Sequence, residues 1–233
     1  AETAVGRHPP TAVAIMDRII AATEKDPECG SFSAVDLDRT LIGQDGILGE
    51  RTLAAIARSR AAGIPVIVAT GRMYRSVLPY VQQAGITEPV VCYQGSVVAD
   101  PTTHEFLVHE PLELELAREA IVMLESAGHP PNVYVDDELI VGTHTEYSRR
   151  YAAYQKLPVT EVGDLVAWLD QPPTKLVAVG DPEELPAMRA LLTRRFGAAL
   201  HLTTSLPWLL ELGHPEATKG TGITFVASCL GVA

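Results

Sequence analysis

Three short, almost uninterrupted apolar runs, at 32–35, 64–69 and 89–93, alternate with two stretches of helical periodicity, at 50–62 and 74–84. Runs that are apolar on both faces suit strands covered above and below, whereas a strand with one wet face would alternate. Leu53, Ile56 and Ala57 share one helical face, and Gly63 and Gly85 stand where C-terminal caps belong. Strand, helix, strand, helix, strand therefore predicts a parallel sheet of the α/β class. Ahead of it, Val13, Met16, Ile19 and Ile20 fall on one face of a helix that starts after Pro9 and Pro10 and ends at 26–30. Residues 1–10 read as a loose arm.

The pattern changes after Asp100 and Pro101. Residues 113–127 form an amphipathic helix through Leu114, Ala117, Ile121 and Leu124. Val133, Tyr134 and Val135, then Leu139, Ile140 and Val141, flank Asp136, Asp137 and Glu138 as the arms of a hairpin. A strand at 175–179, a helix at 183–196, and two strands within 201–212 around Ser205, Leu206 and Pro207 follow. These elements predict an inserted α+β unit with an antiparallel sheet. A last helix spans 218–230.

Composition removes several classes of function. Apolar residues are 47% and charged residues 20%, the balance of a globular chain. Lys and Arg number 18 against 29 Asp and Glu, a net charge of −11, which argues against a nucleic-acid backbone or an anionic membrane as partner. No apolar run approaches the roughly 18 residues of a membrane span. Asp17 and Arg18 break the apolar stretch nearest the N-terminus, so it does not read as a signal peptide. Cys29, Cys92 and Cys229 are odd in number and far apart, which disfavours a disulfide framework or a zinc ribbon and suggests a reducing, cytoplasmic compartment.

Chemistry concentrates where the apolar runs end. Asp36 and Asp38 follow the first run, at the carboxyl end of a parallel strand, where open α/β sheets bind ligands. A carboxylate at 36 can attack phosphorus and form an aspartyl phosphate, splitting one hard step into two, while Asp38 delivers and removes a proton. Thr70 and Gly71 end the second run, and a hydroxyl beside a close backbone N–H suits a phosphate oxygen. Lys219 begins the last helix, where the helix dipole disfavours a cation, so an anion is expected beside it.

Asp36-Leu37-Asp38-Arg39-Thr40, Thr70-Gly71-Arg72 and Thr218-Lys219-Gly220, in this order, resemble the haloacid dehalogenase-like hydrolase superfamily, and within it the Cof-type, subclass IIB phosphatases. Cys92-Tyr93-Gln94-Gly95 and Leu209-Leu210-Glu211-Leu212 extend the resemblance, which runs from about Ser33 onward. It implies a Rossmann-like core, at 31–100 and 214–233, carrying an inserted cap of type C2 at 101–213, behind an N-terminal extension at 1–30. It implies an Mg²⁺-dependent hydrolysis of a small phosphorylated, sugar-phosphate-like metabolite. Asp36 is then nucleophile and metal ligand. Asp38 is the general acid/base and offers its backbone carbonyl to the metal. Thr70, Gly71 and Lys219 hold phosphate, and Arg72 reaches the substrate or braces the cap. A phosphomutase of the same fold, or a weakened phosphate-binding module, would use the same residues.

The chain departs from the family at three points. Arg39 replaces a usual Gly and Gln94 a frequent Asn, and residues 1–30 have no counterpart. Beyond Lys219 the family carries a Gly-Asp with a second carboxylate four residues later; the sequence stops at Ala233, so it reads as part of a longer protein with an open sheet edge beside Asp36. Gly180 and Asp181 do not replace that motif, because they precede the lysine and position 185 is Leu.

Overall fold

The structure, a computed structural model, describes residues 12–23 and 32–232. The expected arm at 1–10, the helix stop at 26–30 and Cys29 lie outside the described residues. β1 (Ser33–Val35), β2 (Val66–Val68) and β3 (Val90–Cys92) form on the three apolar runs. β1 and β2 pair in parallel, and a parallel bridge between Ala69 and Val91 joins β2 to β3. Every residue of β2 and β3 is buried, which is why those runs carry no polar alternation.

Successive side chains of these strands face opposite cores. Val66, Val68, Val90 and Cys92 pack against Ile56 of α2 (Glu50–Ala61) and Val77 and Val81 of α3 (Tyr74–Gln83). Met16, fully buried in the same cluster, brings α1 (Ala12–Thr23) onto α2. Ile67, Ala69 and Val91 face the other way, against Val226 of α8 (Lys219–Cys229). A Cβ at Gly222 would overlap the Val91 side chain, so glycine lets α8 lie directly on β3.

Two strands escape the periodicity. β4 (Val97–Ala99) pairs antiparallel with β3, and β5 (Phe106–His109) antiparallel with β4. The sheet therefore grows past Asp100 on the β3 side. At its other edge, β1 pairs with β2 and with no other described strand.

The second sheet has six strands in the order β10-β11-β9-β6-β7-β8. They are β6 (Asn132–Val135), β7 (Glu138–Val141), β8 (Thr160–Glu161), β9 (Lys175–Val179), β10 (His201–Leu206) and β11 (Leu209–Gly213). All pairs are antiparallel except β7 with β8. α4 (Leu114–Ser126) and α7 (Leu185–Phe196) cover one face through Ile121, Leu124, Leu192 and Phe196. The same cluster takes Val133, Leu176, Ala178, Leu210 and Leu212 from the strands. Their neighbours Tyr134, Val177, Val179 and Leu209 join the core of the first sheet instead. Period two thus turns Lys175 and Glu211 toward the first sheet as well.

α5 (Glu146–Gln155), with the short α6 (Leu165–Trp168), completes this unit. α5 was not legible as an amphipathic pattern, because it opens with Glu146, Tyr147, Ser148, Arg149 and Arg150. Its start is set by a capping box between Thr145 and Ser148 and its stop by Lys156 in the left-handed region, at φ 57°. Among the described residues no helix is long and apolar enough to cross a membrane. Cys92 is buried and Cys229 exposed, and both are free thiols.

Candidate active site

Four backbone segments meet at the carboxyl ends of β1, β2 and β3. Thr70 N–H donates to the Val91 carbonyl at 2.8 Å, Tyr93 N–H to Arg72 at 2.9 Å and Gln94 N–H to Thr70 at 3.1 Å. The loops 70–72 and 93–95 are therefore one hydrogen-bonded unit. Gly95, at φ 111°, lies against the Thr218 backbone, where a Cβ would overlap the Thr218 carbonyl. Thr218 caps α8 in a capping box with Thr221. This contact fixes where α8 begins, and so where Lys219 stands.

Lys219 Nζ donates to Asp36 Oδ1 at 2.6 Å. The two side chains are 34% and 41% exposed, so the pair faces an open space rather than the core. The expected anion beside this helix-start cation is thus Asp36, and its charge offsets the unfavourable dipole position. Asp38 is held from the side: Arg72 Nε and Nη2 reach its two oxygens at 2.9 and 2.7 Å, a bidentate pair. Burial works against the Arg72 charge, but the hydrogen bonds and charge of Asp38 outweigh it and raise the guanidinium above its ordinary value. The same guanidinium donates to Ser76 Oγ and lies over the rings of Tyr80 and Tyr154, 5.7 and 5.9 Å from their centroids. Tyr154 belongs to α5, so Arg72 braces the inserted unit as well as Asp38.

One cavity of about 770 Å³ gathers these groups. Asp36, Asp38, Gly71, Arg72 and Lys219 line it from the first sheet, and Tyr154, Lys175 and Glu211 from the second unit. Thr70 sits differently. It is fully buried below the cavity wall, and its hydroxyl oxygen accepts from Arg72 N–H at 3.2 Å. A Cβ at Gly71 would overlap the Gln94 side-chain amide, so the bare backbone there leaves room for Gln94. Arg39 and Gln94, the two departures in the motifs, both hold positive φ, 58° and 61°, a region that Gly and Asn enter more readily than Arg or Gln.

Sequence reading missed a buried ion pair in the cavity lining. Lys175 Nζ donates to Glu211 Oε2 at 2.8 Å, with side-chain exposures of 4% and 6%. Ser205 Oγ donates to the other Glu211 oxygen. Losing one partner of such a buried pair typically costs about 3–5 kcal/mol. The signal was present: each is a lone charge in an otherwise apolar strand, on the face that alternation turns inward. A second contact between the units is made at the β6–β7 turn. Asp137 accepts from Tyr93 Oη at 2.6 Å and from Arg75 N–H, at the start of α3, at 2.7 Å. Burial pushes the Asp137 carboxyl up, against the pull of those donors. Asp181 is not part of the cavity lining and accepts from the Tyr147 hydroxyl at 3.5 Å.

Among the described residues no cluster of three or more His, Cys, Asp or Glu side chains could hold a metal. The Asp36 carboxylate, partly exposed in the cavity, is the hard oxygen donor at hand. Hard oxygen donors fit Mg²⁺, which commonly takes one or two carboxylates and completes its shell with phosphate and water.

Residues 33–233 match the family model described as haloacid dehalogenase-like hydrolase. The 5-amino-6-(5-phospho-D-ribitylamino)uracil phosphatase YitU of Bacillus subtilis is 30% identical over 203 residues, covering 85% of this chain and 75% of that protein. A haloacid dehalogenase-like hydrolase from Bacteroides thetaiotaomicron superposes with a TM-score of 0.78 at 19% identity, over 87% of this chain and 79% of that one. The subclass IIB sugar phosphatase BT4131 does so with a TM-score of 0.75 at 15% identity, over 87% and 77%. At such identities the superpositions speak to the fold, a Rossmann-like core with an inserted cap.

Proposed function

We propose, from the premise that this chain belongs to the haloacid dehalogenase-like hydrolases and is a phosphatase of that superfamily, that it hydrolyses a small phosphorylated metabolite through an aspartyl phosphate on Asp36. The observation that carries this reading is the 2.6 Å approach of Lys219 to Asp36 at the mouth of a cavity that also holds Asp38. A carboxylate flanked by a cation is a nucleophile already placed beside the charge that the incoming phosphoryl group needs neutralised.

In the first step an Asp36 oxygen forms a bond to phosphorus as the bond to the leaving oxygen breaks. Asp38, protonated, gives its proton to that oxygen. In the second, Asp38 as carboxylate takes a proton from water, the water oxygen bonds to phosphorus, and the Asp36–phosphorus bond breaks. The bidentate pair with Arg72 is the arrangement of the charged, base form. The acid step requires Asp38 to turn from Arg72 toward the leaving group. Gly71 and Lys219, which line the cavity, are assigned to the phosphate oxygens, and Thr70 joins them by turning its buried hydroxyl toward the cavity. Mg²⁺ would be held by the Asp36 carboxylate and the Asp38 carbonyl, and when bound it supplies positive charge against the phosphoryl oxygens.

The inserted unit, here the cap, lines one side of the cavity through Tyr154, Lys175 and Glu211, and further closure over a bound substrate would exclude bulk water. We assign leaving-group selection to it. The phosphoribityl substrate in the name of the B. subtilis relative makes phosphorylated polyols and their conjugates the first compounds to try. The deciding experiment is turnover of a generic aryl phosphate with and without Mg²⁺, by wild type and Asp36→Asn. Loss of phosphate release in a folded Asp36→Asn supports the assignment, and retained turnover removes Asp36 as the nucleophile.

A further inference from the structure

The Lys175 ammonium is 3% exposed as a residue and reaches out of its own sheet. Besides Glu211, its Nζ donates to the Gly71 carbonyl at 2.9 Å, across 104 residues of sequence. It also lies over the rings of Tyr134 and Tyr93, 5.2 and 5.6 Å from their centroids. Tyr134 is its cross-strand neighbour on β6, whereas Tyr93 belongs to the first sheet's loop. The ammonium therefore joins the two units at the peptide that follows Gly71.

That peptide is held on both sides. Its oxygen accepts a hydrogen bond from Lys175 Nζ, and its N–H, on Arg72, donates to Thr70 Oγ1 at 3.2 Å. Polarising the carbonyl strengthens the N–H as a donor, and a hydroxyl that accepts a hydrogen bond is itself a better donor. The Thr70 hydroxyl proton is left to point elsewhere. The Gly71 N–H, one peptide earlier, has no acceptor among the described residues. Two donors thus remain on a loop whose orientation is set from the other unit.

We propose that Lys175 is a positioning residue: through the Gly71 carbonyl it holds the 70–72 loop in the shape that binds phosphate, so that seating of the cap and formation of the phosphate site are one event. The proposal rests on the phosphatase reading for its ligand, but the contact it invokes does not. Glu211 and the two tyrosines serve to keep the ammonium aimed at Gly71.

Two variants separate this role from mere stability. Lys175→Met with Glu211→Gln removes both buried charges together, so neither is stranded. Glu211→Gln alone keeps the ammonium and its bond to Gly71. Inhibition by inorganic phosphate, aryl-phosphate kinetics and amide hydrogen exchange of the 70–72 segment are measured for each. The double variant should bind inorganic phosphate about tenfold or more weakly, the scale of one charge-assisted hydrogen bond, and exchange faster at 70–72. Glu211→Gln, which strands the ammonium, should lower the melting temperature more than the double variant does yet weaken phosphate binding less. Unchanged phosphate inhibition in a folded double variant overturns the proposal. So does a Glu211→Gln variant that loses as much as the double. If wild type neither turns over aryl phosphate nor binds phosphate, the phosphatase reading fails instead. The exchange comparison then still decides, since equal rates at 70–72 in wild type and the double variant refute the positioning role.

Discussion

Lys219 Nζ lies 2.6 Å from Asp36 Oδ1, although 183 residues separate the two in the chain. Asp36 directly follows β1, and Lys219 opens the helix that packs behind β3, with Gly95 pressed against the residue before it. The pair therefore exists only when α8 is packed on the first sheet.

Lys219→Ala should lower kcat/KM for an aryl phosphate by about 10²–10³, as loss of a charge aimed at the reacting group does elsewhere. The melting temperature should hardly move, because a pair this open to solvent contributes little to stability. Steady-state kinetics with a thermal scan checks both halves. A large fall in melting temperature would make Lys219 structural.

Arg72 and Asp38 should behave as one unit. Lysine cannot reproduce the bidentate grip, so Arg72→Lys should lower kcat by about tenfold or more. Adding Arg72→Lys to Asp38→Asn should then cost little more than Asp38→Asn alone. A double-mutant cycle on kcat/KM measures this, and simple additivity would show that the two act separately.

Asp137 should make the docking of the cap pH-dependent. Burial raises its carboxyl above the ordinary 3.8, so the folded state holds the proton more tightly than the unfolded chain. Its contribution is then fully present below 3.8 and is lost as pH rises through the raised folded value. Asp137→Asn keeps an acceptor for Arg75 N–H but cannot ionise. The melting temperature of wild type minus that of Asp137→Asn should fall as pH rises through this window. A difference constant from pH 3 to 7 contradicts it.

Gly95→Ala should destabilise the protein by at least about 2 kcal/mol, since φ 111° disfavours any side chain and the new Cβ would meet the Thr218 carbonyl. The displaced helix start would carry Lys219 with it. Activity of the variant should fall at temperatures where circular dichroism still reports a folded chain.

Much of the fold was legible because burial on both faces writes itself as continuous apolar runs. The carboxyl ends of those runs mark Asp36, Asp38 and Thr70, and a lysine at a helix start called for an anion. Thr70 shows the limit of that reading. Its strand and its place at the loop were evident, but not that its hydroxyl lies beneath the cavity wall, accepting from Arg72 N–H. β4 was missed because only the 93–95 turn separates it from β3, β5 because one of its faces is exposed, and α5 because it is too polar at its start to show a face.

The sequence by itself determined the local geometry: which residues make strands, which face of β9 and β11 Lys175 and Glu211 occupy, and which side chains stand at the ends of buried strands. Only the tertiary structure decided what those side chains meet. Asp38 meets Arg72, Lys175 meets Gly71, and Asp137 meets the start of α3. The reason is physical. Side-chain direction repeats over two or four residues and can be read from neighbours in the chain, whereas partners depend on pairing registers and packing between segments 34 to 104 residues apart.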